Sequence, residues 1–285
     1  MFTLIAENQY QEQLELTHNP AYTITDIDGI DPPDALINTT HNAGADGSEY
    51  NSAYVNNRQI TITLVVNAPA EVNRINLYKY FKSKFPVRLY YTNASREVFI
   101  DGYVQNISVG YFDKKQTIQI VIFCPKPYFN GVSDSVQEFA SVIALFEFPF
   151  SNESITENKI TFSELLIGLE KSIINNGDVT TGVIITIQAT GQVVNPKIYN
   201  VETRESLILN VTLKDGDLIT INTRQSEKAI TLLRDGVTSN LIGSLEQGST
   251  WFTLQPGDNV FTTAADTLVE NMLVTFTITD QYEGV

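Results

Sequence analysis

Cysteine is almost missing from this sequence: Cys124 stands alone, so no disulfide can form within the chain and folding does not call for an oxidising compartment. Histidine is nearly as scarce. His18 and His41, the only two, lie in polar, turn-rich stretches, where an imidazole is ordinarily solvated rather than catalytic or metal-bound. There is no His-Glu-x-x-His, no cysteine pair, no Gly-x-Ser-x-Gly and no Walker-type glycine loop, so hydrolase, metal and nucleotide chemistry lack a starting residue. Positive charge is short as well. Eighteen Lys and Arg face 33 Asp and Glu for a net charge of -15, which argues against partners held by phosphate neutralisation and hence against tight nucleic-acid binding. No apolar run approaches the roughly 20 residues that span a bilayer, and the opening MFTLIAENQY has neither a basic start nor a long apolar core. The sequence therefore predicts no membrane insertion, no signal peptide, and a chain made and kept in the cytosol.

What the sequence does have is strand-forming material. Thr, Ile, Val, Tyr and Phe are abundant, 42% of residues are hydrophobic and 18% charged, the profile of a globular, mainly β protein. A chain of 285 residues can bury two ordinary cores. The boundary is placed at Pro125-Lys126-Pro127-Tyr128-Phe129, where two prolines break a strand ladder, giving domains 1–128 and 129–285. Charge divides unevenly between them: ten Lys and Arg against thirteen Asp and Glu in the first, eight against twenty in the second. The acidity belongs to the second half, where it reads as a solubilising surface.

Residues 54–85 organise the first half. Ile60, Ile62 and Leu64 alternate with Thr61 and Thr63, a half-buried strand that Val65 and Val66 close. At Asn67-Ala68-Pro69 the period changes from two to about 3.6, with Asn67 able to cap a helix and Pro69 tolerated in its first turn. Val72, Ile75, Tyr78, Phe81 and Phe85 then recur at steps of three or four, predicting an apolar helical stripe; Lys79, Lys82 and Lys84 crowd its end and Pro86 stops it. A helix laid on a β domain is the expected arrangement.

Short strands are expected at residues 2–5, 14–16 and 22–27. Residues 29–54 are then rich in Asp, Asn, Pro, Gly and Thr, a long excursion with one short strand at 35–37; loops of that length usually serve a function or wrap a neighbour. After the helix a meander is predicted: strands at 87–91, 97–100, 102–110 and 116–124, with turns at Asn93-Ala94-Ser95 and Asp113-Lys114-Lys115. In the second half a strand is expected at 140–150 and a weaker, polar region at 151–176. Eight strands follow at 183–189, 196–200, 206–213, 218–222, 229–233, 251–254, 257–262 and 272–279, separated by Gly-Asp turns, the spacing of a β-sandwich.

Four candidates test for chemistry. Asp26, Asp28 and Asp31 around Gly29 fail as a calcium loop, since the twelfth position is Ile37 where a bidentate carboxylate is required. Asp215 and Asp217 flank Gly216 in a turn; paired carboxylates for glycoside hydrolysis are the alternative. Trp251, the sole tryptophan, is either core beside Phe252 and Leu254 or a stacking platform for a sugar. Cys124, closing an apolar strand, reads as a small buried hydrophobe.

Taken in order, the strand of Tyr22 to Gly29 with Asp31-Pro32-Pro33, the acidic loop through Asp46-Gly47, the strand at Arg58-Gln59-Ile60-Thr61-Ile62, the helix, and the run from Ile120 through Cys124 to Phe129 resemble the distal tail proteins of long-tailed phages infecting Gram-positive bacteria. The turns Asn176-Gly177-Asp178, Gly216-Asp217 and Pro256-Gly257-Asp258-Asn259 match that family's second domain, so the resemblance covers nearly the whole chain. It implies an N-terminal sandwich with one packed helix and an extended loop or hairpin, followed by a galectin-like sandwich. It also implies a non-enzymatic virion protein without cofactors, located at the tail tip of a phage or prophage. Six copies would form a ring joining the tail tube protein to a tail-associated lysin or tip protein and to receptor-binding or accessory baseplate proteins, for host adsorption. Subunit contacts are expected at Tyr54, Arg58, Ile60, Ile62 and Leu64 of the strand and in the long loop before it, through sheet extension between copies. The alternative reading is a carbohydrate-binding module for cell-surface attachment, with Trp251 as its glycan contact.

Overall fold

The structure, a computed structural model, describes residues 2–44, 46–111, 115–139, 141–144, 163–166 and 170–285. The chain forms two compact units, one of Met1–Ser133 with Gln281–Val285 and one of Asp134–Asp280. It is mainly β throughout, with a single α-helix among the described residues.

In the first unit the strands are β1 (Thr3–Asn8), β2 (Gln13–Glu15), β3 (Tyr22–Asp28), β4 (Ala35–Thr40), β5 (Glu49–Val55) and β6 (Arg58–Val66). After the helix α1 (Ala70–Tyr80) come β7 (Pro86–Thr92), β8 (Glu97–Gly110), β9 (Thr117–Cys124) and β10 (Phe129–Gly131). One sheet runs β2-β1-β7-β8-β9-β6-β3, with β10 on β8 and the strand Gln281–Tyr282 on β10. Its apolar face supplies a single core, including Ile60, Ile62 and Leu64 of β6 and Ile118, Ile120 and Ile122 of β9. α1 touches both β1 and β6, which have β7, β8 and β9 between them, so the sheet curls and the helix closes its open side.

The alternation in β6 holds residue by residue, because a period of two puts every second side chain on the core face. The helix departs from its expected stripe. Leu77 and Phe81 face the core, whereas Val72 and Ile75 are 64% and 56% exposed and Phe85 is exposed too. At about 100° per residue, steps of three fall about 60° short of a full turn, so Val72, Ile75, Tyr78 and Phe81 fan across half the helix circumference. Only a step of four, Leu77 to Phe81, keeps one face. Nor does Asn67 cap the helix: its amide donates to the Pro20 carbonyl (2.8 Å) and Thr23 Oγ1 (3.1 Å), and the cap position falls to Pro69, without a side-chain hydrogen bond. The helix also ends well before Pro86, since Lys84 N–H donates to Val104 O (2.8 Å) and Val104 N–H to Phe85 O (3.1 Å), tying the segment to β8.

The strands expected at 97–100 and 102–110 are one, β8. Gly102 does not end it. A Cβ there would come within 2.5 Å of Ile122 Cγ2 and 2.9 Å of Cys124 Sγ, so the glycine marks a close approach of strands rather than a break. The Asn93 turn is as expected, its Oδ1 accepting from the N–H groups of Ser95 and Arg96 at 2.9 and 2.8 Å. Of the Asp113 turn, residues 112–114 lie outside the described set.

The second unit is a sandwich. One sheet carries Ser135–Glu138, Met272–Ile278, Thr181–Ala189, Leu218–Asn222, Ala229–Arg234 and Val237–Asn240 in that order, and a facing one carries Lys171–Asn175, Gly257–Ala264, Lys197–Asn200 and Ser206–Ile208. Both bury side chains in one core, where Phe261 of the second sheet meets Phe276 of the first at 5.1 Å between ring centroids. The strand expected at 206–213 is broken into Ser206–Ile208 and Thr212–Leu213, and that at 251–254 shrinks to Thr253–Leu254. Ser141–Ala144 and Ser163–Leu166 pair as a hairpin; the rest of the stretch expected as a strand at 140–150, and residues 151–162 and 167–169, lie outside the described set. Asp235 and Gly236 both take positive φ (50° and 76°), the two-residue turn that suits the twist of a hairpin.

Candidate interaction surface

The residues expected at a subunit contact do not share one environment. Ile60, Ile62 and Leu64 are buried in their own core, and β6 is paired along both edges, by β9 and by β3. A strand flanked on both sides has no free amides to offer a neighbour, so sheet extension through β6 is corrected by its interior position. Of the five, Tyr54 alone is exposed.

Arg58, only 4% exposed, serves its own unit. Its Nε donates to Pro127 O (2.6 Å), its Nη1 to Gly29 O (2.8 Å) and Asp31 O (2.9 Å), and its Nη2 to Glu283 O. The guanidinium lies 4.8 Å from the centre of the Phe129 ring. One planar fork thus ties the loop after β3, the turn after β9 and the returning residues 281–285 together, a task for which five fixed donors suit arginine and a lysine ammonium would not. Burial lowers its pKa from the usual arginine value. Gly29, at φ 85°, lies where a Cβ would sit 2.0 Å from Gln59 O, so this junction admits no side chain.

The surface lies just ahead of β6. β4 and β5 pair only with each other, and every residue from Ala35 to Tyr54 in the two strands is exposed. Sequence reasoning placed a loop with one short strand here and missed β5, because in Glu49–Val55 polar and apolar residues do not alternate with a period of two. On this arm Ile37 and Tyr50 stand 62% and 67% exposed, with Leu36 and Tyr54 exposed as well. Ile37 and Tyr50 share a face, since Tyr50 pairs with Thr39, two residues beyond Ile37, while Leu36 and Tyr54 pair on the other. Between Gly29 and Asn57 there are four acidic residues and no Lys or Arg. An isolated two-stranded hairpin is marginal in water, so an arm with apolar side chains on both faces calls for a partner.

The remaining candidates occupy ordinary structural positions. Trp251 packs half-buried against the second core with Lys228 5.6 Å from its ring centre. Cys124 is buried, and burial pushes its thiol up to about 12 despite the nearby Arg58, which leaves it unreactive. His18 and His41 are exposed. Among the described residues no three His, Cys, Asp or Glu gather as metal ligands, and no helix is long and apolar enough to cross a membrane.

Asp215 and Asp217 separate in role. Asp217 is buried and receives Arg234 Nη2 at 2.5 Å and the Lys214 N–H at 2.8 Å, and the Arg234 hydrogen bond holds its carboxyl below the usual range against the opposing effect of burial. A carboxylate with a lowered folded-state pKa stabilises fully above its unfolded value, 3.8, and loses that contribution as pH falls through the lower folded value. Asp217→Asn should therefore cost about 1–2 kcal/mol at pH 7, and its urea midpoint should converge on that of the unaltered chain as pH drops well below 3.8. Parallel curves at all pH values would remove the ion pair from that account.

Comparison with known proteins follows the same two units. Residues 10–124 match the family model of the phage tail protein RIFT-related domain, and residues 176–280 that of the siphovirus-type tail component, C-terminal domain. The Dit protein of phage SPP1, described as a paradigm of the hub adsorption apparatus in phages infecting Gram-positive hosts, matches with a TM-score of 0.71 at 11% identity, over 99% of this chain and 99% of that one. A chain of the phage P2 baseplate in its activated, calcium-bound conformation matches at 0.52 and 11%, over 100% of both. At that identity the two solved structures establish the shared fold. No curated protein matches.

Proposed function

This chain belongs to the siphovirus-type tail proteins, and from that premise we propose that it is a structural component of the tail tip, six copies of which close into a ring joining the tail tube to the baseplate and host-adsorption apparatus. The observation that carries the reading is the β4–β5 arm. A self-paired hairpin with exposed Leu36, Ile37, Tyr50 and Tyr54 is a surface built for another protein surface. An arm that docks on a different surface of the next copy makes a head-to-tail contact, and such contacts generate closed rings when the rotation closes. The small net charge of residues 1–128 suits close packing of six copies, because self-repulsion would oppose closure. The role is mechanical rather than catalytic. Its partners are other copies of the chain, the tail tube protein, the tail-tip protein and receptor-binding or accessory baseplate proteins, and its place is the virion tail tip, with a galectin-like second domain turned to the adsorption proteins.

Native mass tests this. Six copies of a 31.8 kDa chain give a particle of about 191 kDa, expected by light scattering and expected to show a central opening in negative-stain images. A single species at the mass of one chain across the accessible concentration range would overturn self-assembly.

A further inference from the structure

The arm has acidic and apolar character, and the same unit carries its complement elsewhere. Beside the end of α1, Tyr78, Phe81, Ile107, Val109 and Tyr111 line an open depression of about 430 Å³, with Lys82 and Ser83 on its rim. Lys79, Lys82 and Lys84 all lie exposed within six residues there, three of only 18 Lys and Arg in a chain of net charge -15. The exposed Val72, Ile75 and Phe85 extend the apolar surface beside it. The arm presents Ile37 and Tyr50 on one face and carries Asp46 in the loop at its tip and Glu49 at the start of β5. Neither surface covers the other within one chain, because the arm is bare on both faces and the depression stands open.

We propose that the depression at the end of α1 is the seat of the β4–β5 arm of a second copy of this chain, with Ile37 and Tyr50 against its apolar walls and Asp46 and Glu49 beside the lysines. Charge complementarity selects the occupant. The lysine cluster attracts an acidic segment, and the stretch from Gly29 to Asn57 combines four acidic residues and no Lys or Arg with the exposed apolar side chains of the arm. The proposal rests on the ring reading for the order of contacts, each copy giving an arm on one side and a seat on the other.

Two differently tagged full-length chains, one carrying Tyr50→Cys and the other Ser83→Cys, test the contact under mild oxidation. Both positions are exposed and Cys124 is inert, so each chain has one reactive thiol. The expected result is cross-linked heterodimer in at least about tenfold excess over either homodimer. Lys79→Glu with Lys82→Glu in the Ser83→Cys chain should lower the heterodimer yield about tenfold or more, and Asp46→Lys with Glu49→Lys in the other chain should restore it. A statistical mixture of dimers, or charge reversals without effect, would overturn the seat. Light scattering on the unaltered chain separates the two claims. Six-copy particles without heterodimer excess retain the ring and reject the seat; heterodimers in open-ended chains retain the seat and reject the ring; a monomer without cross-links rejects both.

Discussion

Arg58→Met should lower the stability of the first unit by about 3 kcal/mol, and Arg58→Lys by an intermediate amount, measured as urea-unfolding midpoints. The methionine keeps most of the apolar stem, so lost packing contributes little and the loss belongs to the donors. Four carbonyls, those of Gly29, Asp31, Pro127 and Glu283, lose a charged partner together. Each such bond contributes roughly 1.5–3 kcal/mol, but Asp31 and Glu283 lie at the surface, where water takes over part of the work, so the sum is discounted. A lysine keeps the charge and offers three donors from a single point, which cannot reach carbonyls arranged around a plane. If Lys matched Arg, charge rather than the fork would hold the junction; if Met cost nothing, the junction would be held by the sheet pairing of Gln281–Tyr282 with β10 alone.

The same residue shows how far the sequence could be read. An arginine at the start of an alternating strand, Arg58-Gln59-Ile60, looks like the polar end of a half-buried edge, and that pattern supports a contact with a neighbour. Its burial depends on residues 69 and 225 positions away, at Pro127 and Glu283, and no local pattern reports separations of that kind. The return of residues 281–285 to the first unit is hidden for the same reason: Gln281 and Tyr282 carry ordinary strand chemistry, and only the pairing with Phe129 and Asn130 shows which sheet they join. Local rules succeeded where local physics decides. Leu218–Asn222 and the alternation of β6 follow from a period of two, and the Asn93 and Asp235-Gly236 turns from residues that accept their backbone geometry. They failed on α1, where apolar residues at steps of three leave Val72 and Ile75 in solvent. That failure is informative, since an apolar helix face and an apolar hairpin, each left unburied by its own chain, are what a chain made for assembly must carry.

Replacing Leu36–Tyr54 by a short Gly-Ser turn should abolish the six-copy particle while leaving the melting temperature of the chain within a few degrees of the unaltered one. Ala35 and Val55 are a paired couple at the base of the arm, so their Cα atoms are about 5 Å apart and a link of two to four residues spans them without strain. Removing exposed side chains takes almost nothing from the core, which is why stability should hold. Assembly is another matter. Each contact in a head-to-tail ring uses the same pair of surfaces, so deletion of one removes every contact at once, and the loss should be complete rather than graded. Retention of a particle near 191 kDa would move the subunit contacts to another surface, and a large fall in melting temperature would mean that the arm is part of the fold. A fall in mass to 31.8 kDa with the melting curve unmoved would assign the arm to assembly alone.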